Sequence, residues 1–312
     1  MTFTPIIGTI VPLVTPFDAD EVFDPPAMRR LIQHVLEQGA DGLMPTALTG
    51  EGPLLTTDET VAVWETVFAE VAERRPVVPA VISTTTRRAV ELVRRAEALG
   101  AAGVLAAPIL PELYSGRSTD DVVAFYADLA AASSLPITLF NYPSLTGIDF
   151  TAPVIERLVR IESVRSIKES TGDTRRVHSI QRLVGDRLEV ICGAPNVALE
   201  SLALGCRTWI TGIMNVVPRS AQQLMQAVVQ RRDLALARRV YYRQILPLVD
   251  VLLGNNNPTG TIKAGVEARG VHVGAPRRPG HTVGADDRRR LERLAVDLAR
   301  SEAESAARMT AS

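Results

Sequence analysis

The 312-residue sequence predicts an α/β fold, a (β/α)8 TIM barrel followed by a C-terminal helical appendage. Eight short β-rich runs alternate with eight longer helical patterns before residue 230. These runs are apolar without polar alternation, which is typical of parallel strands buried on both faces. A doubly wound open sheet is the alternative, but eight consecutive strand–helix units favour closure into a barrel.

The strands and helices follow one another in regular order. The predicted strands cover residues 8–13, 42–45, 77–82, 103–106, 137–140, 164–168, 188–192 and 208–211. The helices, with apolar residues at i, i+3 and i+4, cover residues 25–37, 57–73, 87–99, 120–132, 152–160, 175–183, 197–204 and 219–230. Asp24 and Ser118 are typical helix N-caps, and Gly100 and Gly205 are typical helix stops.

The chain beyond residue 230 shows helical periodicity without further strands. Breaks are expected at residues 254–260 and 278–280, where glycine and proline interrupt the pattern. We therefore expect a barrel at residues 1–230 and a helical segment at residues 231–312 that packs on the barrel.

Composition excludes several functional classes. A net charge of −1 gives no electrostatic case for nucleic acid or an anionic membrane as a partner. Cys192 and Cys206 form no disulfide framework, and the four histidines are scattered, so no metal site is expected. There is no nucleotide-binding motif, hence no expected cofactor. Neither a signal peptide nor a membrane-spanning run is predicted, and the cytoplasm is the expected location.

Lys168 is the most informative residue, because it lies at the carboxyl end of a predicted strand, just before a glycine turn. Partial desolvation there can lower the pKa of the amine enough to supply the neutral form that attacks a ketone. The alternative is an ordinary edge lysine in a salt bridge. The chain has only one other lysine, Lys263, and uses arginine elsewhere. Arginine cannot lose its proton to become a nucleophile, which favours the catalytic interpretation.

Function in a (β/α)8 barrel gathers where the strands end, at their carboxyl side. Besides Lys168, the chain places there the segments Thr15-Pro16, Thr49-Gly50-Glu51, Phe140-Asn141-Tyr142-Pro143, Gly193 and Ile210-Thr211, with Tyr114 in the loop after the fourth strand.

These segments resemble the dihydrodipicolinate synthase / N-acetylneuraminate lyase family of class I aldolases, over nearly the whole chain. The specific pieces are Thr49-Gly50-Glu51, the eight residues from Phe140 to Gly147, and the six from Ile167 to Gly172. The resemblance implies a Schiff base between Lys168 and the keto carbon of pyruvate or another 2-oxo acid. It also implies a homo-oligomer, a dimer or tetramer.

The resemblance further implies which residues hold the substrate. The turn Leu48-Thr49-Gly50 corresponds to the family's carboxylate cradle, where a hydroxyl and backbone amides act as donors. Gly193 and Ile210 match positions that line the pocket through close backbone approach and a carbonyl oxygen. Simple strand-end turns and barrel packing are the alternative roles for these residues.

The departures from the family pattern bear on the reaction. Phe140 stands where most members have a tyrosine that relays protons, and Leu48 replaces a hydroxyl residue beside Thr49. Tyr142 and Tyr114 are the candidates for supplying a substitute hydroxyl. Leu145 replaces the arginine with which the synthases bind the carboxylate of their second substrate.

We therefore expect a Schiff-base lyase of the aldolase, dehydratase or deaminase type, with a small sugar-derived or hydroxylated 2-keto acid as the preferred substrate. One alternative is the condensation that dihydrodipicolinate synthases catalyse. A second is a barrel that has lost catalysis and binds an oxo acid as a sensor. A third, a metal-dependent aldolase, lacks a visible ligand cluster.

Overall fold

The computed structural model describes residues 6–109 and 118–310, apart from the side chains of Leu145 and residues 303–310. In this part of the chain eight parallel strands are present: β1 (Gly8–Pro12), β2 (Gly42–Met44), β3 (Ala80–Ser83), β4 (Val104–Pro108), β5 (Ile137–Asn141), β6 (Val164–Glu169), β7 (Glu189–Cys192) and β8 (Thr208–Ile210). Each strand overlaps one of the predicted runs. The predicted strand–helix order is confirmed.

The strands form one sheet in the order β2-β1-β8-β7-β6-β5-β4-β3. The two ends of this sheet also meet, because Leu43 of β2 bridges Val77 just before β3, and the Val78 N–H donates to the Leu43 carbonyl at 2.9 Å. The sheet is therefore nearly closed into a barrel, which confirms the TIM-barrel prediction and excludes the doubly wound alternative.

The helices of the barrel surround the sheet. They are α1 (Pro25–Glu37), α2 (Thr57–Val71), α3 (Thr86–Ala98), α4 (Thr119–Ala132), the short α5 (Pro143–Thr146), α6 (Ala152–Leu158), α7 (Arg175–Val184), α8 (Ala198–Ala203) and α9 (Pro218–Met225). Asp24 accepts from the Ala27 N–H and Ser118 caps α4 together with Asp121, as their sequence positions predict.

Both faces of the strands are buried, which explains their lack of polar alternation. Side chains such as Val11 and Leu139 face the helices, whereas their neighbours Ile10 and Phe140 belong to a separate buried cluster inside the barrel. This inner cluster fills the interior of the barrel with side chains. A functional site is therefore expected at the rim, where the strands end.

The C-terminal segment contains α10 (Leu234–Val240), α11 (Leu246–Gly254), α12 (Pro258–Ala268) and α13 (Ala285–Thr310). Two expected breaks need correction. The first is shorter than predicted, because Asn257 caps α12 by accepting from the Gly260 N–H, which places Gly260 within the helix. The second is longer: residues 269–284 are not helical, and Gly270 and Gly274 adopt positive φ. The division of domains at residue 230 remains a prediction.

Candidate active site

A cavity of about 400 Å³ lies at the carboxyl ends of the barrel strands. Several of the predicted site residues line this cavity: Leu48, Thr49, Phe140, Tyr142, Lys168 and Gly193. The structure thus brings residues from four separate strand ends together around one space.

Lys168 lies near the end of β6, paired with Phe140 of β5 on one side and Ile191 of β7 on the other. Its side chain lines the cavity, and the residue as a whole is 9% exposed. No described residue offers it an ion pair or a hydrogen bond; its Nζ instead lies 4.3 Å from the centroid of the Phe140 ring. The salt bridge that the edge-lysine interpretation requires is therefore absent from the described part of the chain.

Burial lowers the pKa of the Lys168 amine from 10.5 to about 8. The physical cause is desolvation, which penalises the charged ammonium when no carboxylate compensates for it. The nearby Cys192 thiol does not supply that charge, because burial raises the pKa of the thiol to about 12 and keeps it protonated. About a tenth of the amine is thus neutral at pH 7, whereas an ordinary lysine would be almost entirely protonated there.

Phe140 and Tyr142 form an aromatic pair beside the lysine, with ring centroids 5.9 Å apart. Phe140 is buried against the amine, whereas Tyr142 is 36% exposed where it lines the cavity. Tyr142 therefore brings a phenol to the same space, two residues from the position where the hydroxyl is missing. Tyr114 lies outside the described residues, and so does the side chain of Leu145.

The turn after β2 contributes Leu48 and Thr49 to the cavity wall, but Gly50 lies behind them. A Cβ at Gly50 would lie 2.6 Å from the Leu13 carbonyl oxygen, so only glycine fits. The Gly50 carbonyl accepts from the Thr15 hydroxyl at 2.6 Å. Gly50 therefore shapes the turn from behind and gives the cavity no side chain.

Gly193 and Ile210 have different surroundings. A Cβ at Gly193 would collide with the Ser170 hydroxyl and lie 3.0 Å from Cγ of Lys168, so this glycine lets β7 approach the lysine closely. The Ile210 side chain packs in the cluster inside the barrel, and the following residues, Thr211 and Gly212, line the cavity in its place.

The backbone just after Lys168 is held by a buried polar network around Glu169. This carboxylate accepts from the Asn141 side chain at 2.9 Å, from Arg176 Nε at 2.7 Å and from the Thr171 N–H at 2.8 Å. The network fixes the end of β6 against β5 and α7, and so fixes the direction in which Lys168 extends.

Sequence reasoning missed two groups of cavity residues. Ser170 follows the lysine in the quoted motif, and its buried hydroxyl has no hydrogen-bond partner among the described residues. The C-terminal segment supplies the second group: Leu252, Leu253, Pro258, Thr259 and Ile262. No strand precedes those residues, so a search of strand ends could not find them.

Within the described residues, no group of three or more His, Cys, Asp or Glu side chains could hold a metal ion. In that same part, no helix is long and apolar enough to span a membrane.

Comparison with known proteins agrees with this geometry. Residues 5–297 match the model of the Dihydrodipicolinate synthetase family. The chain is 32% identical over 287 residues to the 4-hydroxy-tetrahydrodipicolinate synthase of Syntrophus aciditrophicus, covering 92% of this chain and 96% of that protein. It is also 32% identical over 251 residues to the synthase of the same name from Pelobacter propionicus, covering 80% and 84%.

Among solved structures, a Pseudomonas aeruginosa relative shares 36% identity and a TM-score of 0.89, covering 94% of this chain and all of that one. The 4-hydroxy-tetrahydrodipicolinate synthase of Methylacidiphilum fumariolicum gives a TM-score of 0.88 at 25% identity, covering 96% and 98%. The family match and these two curated relatives confirm the resemblance that the strand-end motifs indicate. The chain belongs to the dihydrodipicolinate synthetase family.

Proposed function

We propose that this protein is a Schiff-base-forming lyase of the class I aldolase type, acting on pyruvate or a 2-keto(-3-deoxy) acid. The observation that carries the proposal is Lys168, a buried amine without an ion-pair partner in the described chain, facing a cavity at the barrel rim. Burial has lowered its pKa to about 8, as a nucleophilic amine requires.

The chemistry follows from an amine in this position. The neutral Lys168 nitrogen attacks the keto carbon, and the carbinolamine takes up a proton and loses water to give a protonated imine. That positive nitrogen accepts the electron pair released when the neighbouring carbon loses a proton or a carbon substituent. The Thr49 hydroxyl and the backbone amides of its turn hold the substrate carboxylate, and the Tyr142 phenol is the proposed proton carrier.

The lining of the cavity supports a substrate whose remaining part is uncharged. Lys168 is the one charged residue among the described lining residues. Neutral polar groups line part of the wall, from Ser170, Thr171, Asn196 and Thr259. A second carboxylate would find no charge-assisted partner there, whereas hydroxyl groups would find donors and acceptors. This favours a hydroxylated 2-keto acid.

The condensation named for the curated relatives is the second candidate. It shares the pyruvate Schiff base with the first, and the names of the relatives favour it. The uncharged lining argues against it, because its second substrate carries a carboxylate. Assays that supply aspartate semialdehyde in one arm and a panel of 2-keto-3-deoxy acids in the other separate the two reactions.

Trapping with borohydride tests the proposal directly. Incubation with pyruvate and borohydride should add a stable reduced adduct to the peptide that contains Lys168. The peptide with Lys263 is an internal control, since it holds the only other lysine and should remain unmodified. No adduct on Lys168, or equal labelling of both peptides, would refute Schiff-base chemistry at this site.

The rate of this trapping should depend on pH with an apparent pKa of about 8. Only the neutral amine attacks, so the rate should rise about tenfold per pH unit below that value and level off above it. Single-turnover trapping between pH 6 and pH 11, at pyruvate concentrations well below half-saturation, measures the profile of the free protein. A midpoint near 10.5, the ordinary value for lysine, would contradict the proposed desolvation.

Phe140→Tyr distinguishes an active lyase from a barrel that only binds an oxo acid. If the enzyme has its own proton relay, the wild type turns over and the variant gains less than about tenfold in pyruvate release. If the wild type has lost its proton relay, Phe140→Tyr should instead raise the rate of pyruvate release by about 10²–10⁴-fold, because it restores the hydroxyl. Steady-state pyruvate release by both proteins decides between these outcomes, and the melting temperature confirms that both are folded.

The family resemblance also supports a proposal about the assembly and location of the protein. We propose a cytoplasmic homo-oligomer, a dimer or a tetramer. Light scattering coupled to gel filtration measures the mass of the assembly in solution, and a monomeric mass would contradict this.

A further inference from the structure

The structure contains a second buried lysine, which the proposed reaction does not use. It contacts the residue that directly follows the proposed carboxylate-binding turn. Lys263 of α12 is 1% exposed, and its Nζ lies 2.8 Å from Oε1 of Glu51, which is itself 5% exposed. Glu51 follows Gly50 in the chain, so this ion pair links the turn after β2 to the C-terminal segment.

The turn is conformationally strained and needs such support. Thr46 and Glu51 both adopt left-handed backbone angles, with φ of 58° and 56°. Residues with a Cβ rarely adopt this region and stay there only when surrounding contacts hold them. At the start of the turn, Trp64 Nε1 donates to the Thr46 hydroxyl at 2.8 Å. At its end, the support comes from the charges around Glu51.

Lys263 joins three parts of the molecule at this point. Besides pairing with Glu51, its ammonium donates to the Ala275 carbonyl at 2.8 Å and lies 4.4 Å from the centroid of the Phe17 ring. The second oxygen of Glu51 accepts from the Arg277 N–H at 2.8 Å. The C-terminal segment thus surrounds the Glu51 carboxylate with positive charge and donors.

The negative charge of Glu51 also affects how an anionic ligand binds at this turn. A buried carboxylate next to Gly50 would repel a second carboxylate that approaches the same turn, because buried charges are poorly screened. An ammonium 2.8 Å away cancels most of that field. Burial lowers the pKa of Lys263, and the neighbouring Glu51 opposes this shift by favouring the charged ammonium.

We propose that Lys263 is a positioning residue for substrate binding: paired with Glu51, it holds the Thr49-Gly50 turn in its strained form and neutralises the charge behind it. The C-terminal segment then completes the site in two ways, through the cavity residues of α11 and α12 and through this pair. The inference rests on the proposed function, because it concerns how the same turn receives the carboxylate of a 2-oxo acid.

The experiment measures how borohydride trapping at Lys168 depends on pyruvate concentration, in the full-length protein. Lys263→Met leaves Glu51 buried and unpaired, and should raise the half-saturating pyruvate concentration by about tenfold or more. The limiting trapping rate should stay within about threefold, because the nucleophile is untouched. The double variant Glu51→Gln/Lys263→Met removes the repelling charge and should recover part of the lost affinity.

Two controls separate binding from folding. Arg269→Met breaks a half-buried pair of the same segment, Arg269 with Glu302 at 2.7 Å, and should lower the melting temperature without changing the pyruvate dependence. If Lys263→Met does not fold, Glu51→Gln alone decides, since the isosteric amide keeps the size of the side chain but removes the ion pair that holds the turn. It should raise the half-saturating concentration several-fold.

The outcomes are distinct for the two proposals. If the wild type forms no adduct, the proposed function itself is wrong. If the wild type is trapped and the folded variants show its pyruvate dependence, the pair is merely structural and this inference is overturned. A fall in the limiting rate with unchanged half-saturation would also overturn it, because the effect would then lie on the nucleophile.

Discussion

Replacing Lys168 by methionine should abolish adduct formation with pyruvate and reduce turnover to background, because no other described residue that lines the cavity carries a primary amine. Methionine keeps the length and apolar stem of lysine and removes the amine, so the pocket retains its shape. Intact-mass analysis after borohydride treatment, together with pyruvate-release assays, measures the loss. Adduct formation by the variant would place the nucleophile elsewhere in the chain.

The same substitution should stabilise the fold by roughly 2–3 kcal/mol at pH 7, because it removes a buried charge that no described carboxylate compensates. Lys168 has a pKa of about 8 in the folded protein against 10.5 ordinarily, so below pH 8 it is protonated in both states and its burial costs stability. As pH rises from about 8 towards 10.5, the folded protein releases the proton first and the wild type gains stability. The difference between variant and wild type should therefore shrink in that range.

Urea unfolding of the wild type and of Lys168→Met at pH 7 and pH 10 tests whether the variant is the more stable protein and whether the difference shrinks at the higher pH. Lys263→Met is the comparison, because Lys263 is also buried but is paired with Glu51, so its loss should destabilise the protein. Equal destabilisation by both substitutions would mean that the Lys168 amine has a compensating partner in solution.

Glu169→Ala should be the most destabilising single change at the site, costing about 3 kcal/mol. Glu169 is 6% exposed and accepts from Asn141, Arg176 and the Thr171 N–H, so its loss removes three hydrogen bonds, including one from the fully buried Asn141. The lysine next to it should lose its fixed direction, and trapping should slow as well. Denaturant unfolding gives the change in stability.

Glu162→Ala is the control for that experiment. Glu162 pairs with Arg165 close to the same strand, but its side chain is 90% exposed. Exposed pairs contribute little, so the change in stability should stay within about 0.5 kcal/mol. If the two substitutions destabilise the protein equally, the Glu169 network does not hold the end of β6.

Local features of the sequence were enough to predict the barrel. The bounds of α1 agree at both ends with the prediction, because Asp24, two prolines and a strong apolar face are all local signals. The strands were recognisable because both their faces are buried, and Lys168 stood out as a charged residue at a strand end. Each of these signals lies within a few neighbouring residues.

Other parts of the site depended on contacts that the sequence does not encode locally. Lys263 was set aside as part of an appendage, yet it is buried against Glu51, 212 positions earlier in the chain (263 − 51). Ile210 is expected to contribute its carbonyl oxygen to the pocket, which stays a prediction; that its side chain packs inside the barrel depends on how β8 pairs with its neighbours.

By itself, the sequence determined the barrel and the family and singled out Lys168 as the candidate amine, because strand burial, helix caps and the strand-end motifs are written in consecutive residues. Only the tertiary structure decided that this amine lacks an ion-pair partner in the described chain, and that α11 and α12 complete its cavity. The physical reason is that desolvation and charge pairing depend on distances between segments far apart in the chain, which are fixed only when the barrel closes and the last helices pack against its rim.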